Sequence, residues 1–497
     1  MTRKNMLRGG LLASLALAGL GSAFWLQAAA PTDDSGELTG GNTTVYATGK
    51  NAFSFPFANL DDDERTRFAI GNSFFKRNWV EAPASTTARD GLGPHFIARS
   101  CAGCHVLDGR GAPPDYRRTL GPEPEPTVAL LMRLSVPGAP EAHAGVVPEP
   151  TYGDQFNNAA IQGVRPEGRV EIRTRAVGGR FADGTPYTLQ QPLYRLTDLG
   201  YGPMASNVLV SPRIAPQIAG IGLLEAIPET EIERNARDQA HRPDAIKGQP
   251  NRVWDAFAQR EMLGRFGWKA NVATIAHQTA GAFNGDIGVT SSTFWREGCT
   301  VAQADCQAAP HGGGKRHGRD GLIPAAQASV EVPEIDDETL SHTIFYQATL
   351  APAARRNISD LQVLRGQALF QKADCAACHR PSYVTGEAPF PRLSSPRVRN
   401  QTIWPYTDLL LHDMGEALAD GRPDFQANGR QWKTPPLWGV GLIRDVNGHQ
   451  RLLHDGRANG VLEAILWHGG EAEASKQQVL RLSRKDREAL VKFVESL

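Results

Sequence analysis

The chain has 497 residues, too many for a single hydrophobic core, and its 41% apolar content excludes a disordered polymer. Its 53 basic and 53 acidic side chains cancel, so no electrostatic footprint marks a nucleic-acid partner. The 51 glycines and 34 prolines exceed average usage and point to long, ordered loops.

Residues 1–30 read as an export signal. Arg3, Lys4 and Arg8 precede an apolar run at 11–26, and Ala28, Ala29 and Ala30 close it. The run falls short of the roughly 20 residues needed to span a bilayer. The expectation is a periplasmic protein that meets the membrane only through this segment, if it stays uncleaved. Residues 61–78 predict a helix with Phe68, Phe74, Phe75 and Trp79 on its apolar side and Asp61, Asp62 and Asp63 at its start. The proline-rich stretch 113–150 predicts loops around one short helix at 128–134. At 169–196 the period changes to two, and Ala182-Asp183-Gly184-Thr185 supplies the turn of a β-hairpin. Further helices are expected at 218–226, 229–240, 336–350 and 484–497, with a linker at 324–333.

Six cysteines carry the chemistry. Four lie in two copies of one pentapeptide, Cys101-Ala102-Gly103-Cys104-His105 and Cys375-Ala376-Ala377-Cys378-His379. With these residue counts chance predicts about 0.002 copies, and the pattern reads as c-type haem attachment. Two thiols at this spacing can add across both vinyl groups of a haem, and the histidine falls under the iron. A shared zinc site would need two thiol pairs across a short gap, which these widely separated pairs do not offer. The expected cofactors are therefore two covalently attached haems, with His105 and His379 as iron ligands. Cys299 and Cys306 remain. In an oxidising compartment they read as a small disulfide loop, with a redox-active pair as the weaker alternative.

The stretch Leu364-Arg365-Gly366-Gln367-Ala368-Leu369-Phe370 resembles the helix that opens a cytochrome c fold. That likeness implies a mainly α protein of two cytochrome c-like domains, residues 31–330 and 331–497, the first enlarged by loops and the β-hairpin. Between the haem motifs, Phe266-Gly267-Trp268-Lys269-Ala270 and His277-Gln278-Thr279-Ala280-Gly281 resemble the bacterial di-haem cytochrome c peroxidase superfamily. The closer likeness is to its di-haem oxidoreductase branch, and it extends over residues 60–497. It implies that Trp268 relays electrons between haems and that Gln278, ten positions on, serves the reaction. Asp286 is the candidate acid–base carboxylate, about two positions earlier than the superfamily's usual glutamate. After the second motif, Thr434-Pro435-Pro436-Leu437-Trp438-Gly439-Val440 and His454-Asp455-Gly456-Arg457 resemble the superfamily too. There the residue before His-Asp-Gly often binds iron, but here it is Leu453, which cannot. Met414 and His412, in Leu411-His412-Asp413-Met414-Gly415, and His454 become the candidate sixth ligands. For the first haem no sixth ligand follows closely, although Met132 or His143 would close it. A His at 95 reads as a loop residue.

The resemblance implies an oxidoreductase that reduces hydrogen peroxide, a small-molecule oxidant, with electrons from a small cytochrome or cupredoxin. A plain electron-transfer cytochrome and an oxidase of a protein side chain are the alternatives.

Overall fold

The computed structural model describes residues 35–86, 89–111, 113, 129–313 and 333–497. The export segment and nearly all of the expected linker lie outside these residues. No helix among the described residues is long and apolar enough to cross a membrane.

The expectation of a mainly α chain is wrong. Helices make up 31% and strands 19%, the strands spread over many small sheets. Most strands are only two to four residues long, too short to show a period of two, and glycine and proline interrupt them. The segment expected as a helix at 128–134 is instead the strand Leu130–Ser135. It pairs antiparallel with Gln155–Phe156 on one side and Leu209–Ile214 on the other. A short apolar run suits a central strand as well as a buried helix turn, and the partners on both edges decide it. The hairpin Arg169–Arg180 with Pro186–Thr197 forms in the expected place, closed by the turn at Asp183 and Gly184.

Two helix pairs position the cysteine motifs. Asp62–Lys76, opened by a capping box between Asp61 and Glu64, packs on Asp337–Ala348. Leu361–Lys372, capped by Asp360, packs on Arg484–Ser496. The crossings are close because each first helix turns a glycine to its partner. A Cβ on Gly71 would stand 2.1 Å from the His342 carbonyl oxygen, and one on Gly366 2.0 Å from that of Ala489. The same aromatic arrangement fills both crossings: Phe75 meets Tyr346 at 5.2 Å, and Phe370 meets Phe493 at 5.2 Å. Burying such rings stabilises by about 1.5–3 kcal/mol each, with about 0.5–1.5 kcal/mol more for the ring pair. Helix Asp337–Ala348 follows the expected linker in sequence, yet it packs on the first half of the chain. The two large cores likewise each draw residues from both sides of that linker.

Candidate active site

Each cysteine motif begins directly beside a helix pair. Cys101–Cys104 forms a single helical turn, and Cys375–Ala377 a 3-10 turn that follows Asp374 in the left-handed region. In each, the histidine N–H donates to the carbonyl of the first cysteine, at 2.9 Å in both cases. A phenylalanine from the preceding helix faces each histidine: Phe75 lies 6.3 Å from His105, and Phe370 6.3 Å from His379.

The histidine rings are held alike. His105 Nδ1 donates to the Pro216 carbonyl at 2.7 Å, and His379 Nδ1 to that of Tyr406 at 3.0 Å. That hydrogen bond fixes the tautomer and leaves Nε2 with its lone pair, the state an iron ligand needs. Burial lowers the pKa of both imidazoles to about 4, so both are neutral at ordinary pH. The four thiols are unpaired. Burial pushes Cys101 up strongly and Cys104 and Cys375 up to about 12, the opposite of the acidic thiol of a redox dithiol.

Both motifs open onto one cavity of about 800 Å³. Cys101, Cys104 and His105 line one part of it, and Cys375, Cys378 and His379 another. Trp268, Gln278, Asp286, Met414, His412, His454 and His143 line it as well, whereas Met132 does not. Cys299 and Cys306 form a disulfide elsewhere, with Cα atoms 5.8 Å apart.

Asp286 sits in the π-helical turn Phe283–Ile287 that continues helix Ile275–Ala282. Its main-chain carbonyl accepts from the N–H groups of Ile97 and Ala98, which fastens the turn to the strand entering the first motif. Its carboxylate accepts from Gln155 Nε2 at 3.0 Å. Burial raises its pKa, the Arg133 guanidinium opposes that rise, and its charge reaches Cys101 and Cys104. Gln278 lies on helix Ile275–Ala282, about two turns upstream.

Trp268 is buried where the two halves meet. Its Nε1 donates to the Ile214 carbonyl at 2.8 Å, while its own carbonyl accepts from the Lys433 N–H. The Arg110 guanidinium lies over the indole and also donates to the Leu453 carbonyl.

The candidate sixth ligands differ in what holds them. His412 has both ring nitrogens occupied, Nδ1 2.7 Å from Glu471 and Nε2 2.9 Å from Asp408, so neither is free for a metal. Burial opposes its protonation, but Asp408 outweighs burial and the pKa stands well above the usual histidine range. His454 lies flat on Trp432, with centroids 3.8 Å apart and planes 9° from parallel. Met414 follows strand Leu411–Asp413, its side chain packed against the core. Near the first motif, Met132 is buried inside its sheet, His143 stacks on Trp254 at the surface, and His95 bonds to Tyr201 and the Arg165 carbonyl.

A family model described as "Di-haem oxidoreductase, putative peroxidase" matches residues 34–497. The chain belongs to this di-haem oxidoreductase family. No curated protein matches it. The family's name implies two haems, and the residues of this oxidoreductase fit such a pair. Two thiol pairs outside any disulfide and two neutral imidazoles with unshared Nε2 atoms face one largely apolar cavity.

Sequence reasoning missed three participants. Arg133 and Gln155 are polar neighbours of Asp286, contributed by strands that the sequence read as helix or loop. His468 lines the same cavity as the second motif. It follows the apolar run Val461–Trp467, and no short motif in the sequence marks it.

Proposed function

We propose that this di-haem oxidoreductase is an exported peroxidase whose two haems are attached through Cys101 and Cys104, and through Cys375 and Cys378, with His105 and His379 as iron ligands. The observation that carries this reading is the cavity lined by both motifs, with the half-buried Asp286 lining it too. When bound, the haems supply the redox chemistry, accepting electrons from a small cytochrome or cupredoxin and delivering them to the oxidant.

The protein's own groups do the rest. Reducing one hydrogen peroxide to two waters consumes two electrons and two protons. Asp286 takes a proton from one peroxide oxygen and returns it to the other, so that the departing group leaves as water. Its raised pKa makes the proton easier to hold than on an ordinary carboxylate. Gln278 donates a hydrogen bond towards the separating charge, and Arg133 balances the carboxylate. Apolar walls keep bulk water from the exchange. Trp268, between the motifs, shortens the path for electrons crossing the cavity. The Nδ1 anchors of His105 and His379 fix the orientation of both rings.

The test is a steady-state assay of peroxide reduction with a reduced small cytochrome, beside a spin-resonance spectrum of the oxidised protein. Turnover with one high-spin iron is expected. Two low-spin irons and no turnover would make the protein an electron carrier instead.

A further inference from the structure

With Leu453 at the position before His-Asp-Gly, the second haem needs its sixth ligand from another part of the chain. We infer that His468 supplies it, through Nε2, from the wall of the cavity that His379 also lines. This inference rests on the reading that two c-type haems are attached at the cysteine motifs.

His468 caps helix Val461–Trp467, its N–H donating to the Ile465 carbonyl at 3.1 Å. Its Nδ1 donates to the Ala464 carbonyl at 2.7 Å, leaving Nε2 unshared. His105 and His379 are anchored in the same way, by Nδ1 to a backbone carbonyl, and that is the usual support of a metal-bound histidine. The ring lines the cavity together with Ala464, Ala472 and Ser475. His468 and His379 line the same cavity.

The loop that follows is clamped. Glu471 accepts from the Asp413 N–H at 2.9 Å and from His412 Nδ1 at 2.7 Å. Gly470 has φ +54°, and a Cβ there would stand 2.2 Å from the Asp413 carbonyl oxygen. A ring carried on a helix end and locked by such a clamp has little freedom to leave its position.

The alternatives are weaker on geometry. His412 has no free nitrogen. His454 is held flat against Trp432, with ring centroids 3.8 Å apart. Met414 lines the cavity with its side chain packed against the core.

The experiment uses the full holoprotein, with haem content counted first by the pyridine haemochrome spectrum. Spin-resonance and near-infrared spectra of the oxidised protein, with redox titration, are then compared across variants. The wild-type protein is expected to show a low-spin iron without a sulfur-to-iron charge-transfer band. His468→Gly should convert that iron to high spin, and added imidazole should restore it. His468→Met should introduce the sulfur band and raise the midpoint potential. Met414→Leu should change neither spectrum nor potential. A sulfur band in the wild-type protein, or loss of the low-spin signal in Met414→Leu, would overturn the assignment even if the His468 variants failed to fold. An unchanged low-spin signal in His468→Gly would overturn it too. A preparation with two covalent haems in which these results fail rejects His468 alone, whereas fewer than two haems rejects the attachment reading beneath it.

Discussion

Replacing Asp286 by asparagine separates its chemistry from its structural role. Asparagine keeps the shape and the side-chain oxygen that accepts from Gln155 Nε2 at 3.0 Å. The main-chain carbonyl that ties the turn to Ile97 and Ala98 is untouched. Only the ability to take and return a proton is lost. Positioned general acid–base catalysis contributes about 10²–10⁴-fold, so kcat for peroxide should fall by that factor, or about 3–5 kcal/mol in the barrier. Stability should not fall with it. Burial raises the pKa of Asp286, so its charged form opposes folding at neutral pH, and a neutral isostere removes that cost. The pH profile adds a second check. A carboxylate acting as base is active only when deprotonated, and a raised pKa moves the acid limb above the ordinary carboxylate range. The wild-type rate should therefore drop as pH falls through that raised pKa, while the rate of Asp286→Asn stays flat. The assay is oxidation of a reduced small cytochrome by peroxide, with unfolding followed in denaturant. An Asp286→Asn rate near the wild-type rate, or loss of activity accompanied by equal loss of stability, would refute the acid–base role.

Gly366→Ala should destabilise by about 1–3 kcal/mol, because the new Cβ meets backbone rather than a movable side chain, whereas Gly298→Ala, with open space around it, should not; equal denaturation midpoints would show that the crossing tolerates the extra methyl. His412 has a folded pKa above its unfolded value, so its ion pairs stabilise fully below about pH 6.5 and less as pH rises through the folded pKa. His412→Asn should cost about 3–5 kcal/mol at pH 6 and less at alkaline pH, and a pH-independent difference would contradict the charged pair. Trp268→Phe should slow electron exchange between the haems in stopped-flow experiments and cost about 1 kcal/mol through the lost hydrogen bond to Ile214; unchanged transfer rates would remove the indole from the path.

How much of this could be read from the chain depends on how local each signal is. The helices at Asp62–Lys76 and Arg484–Ser496 carry their own caps, Glu229–Ala240 carries an apolar stripe, and the long hairpin carries its turn, so these elements stood in the sequence. The two cysteine motifs were legible because attachment chemistry fixes spacing within five residues. Strand Leu130–Ser135 was not, since it becomes a strand only by pairing with Gln155–Phe156 and Leu209–Ile214. The same pairing delivers Arg133 and Gln155 to Asp286, so the surroundings of that carboxylate were hidden with it.

The sequence by itself supplied the candidate attachment residues, through residue type and short spacing, and its resemblance to the superfamily supplied the acid–base and aromatic relay candidates. Only the tertiary structure decided which histidines have a nitrogen to spare. His412 and His468 are alike as letters, but carboxylates from Asp408 and Glu471 close one ring while a single carbonyl leaves the other open. Hydrogen-bond partners distant in sequence make that difference, and no local pattern encodes them.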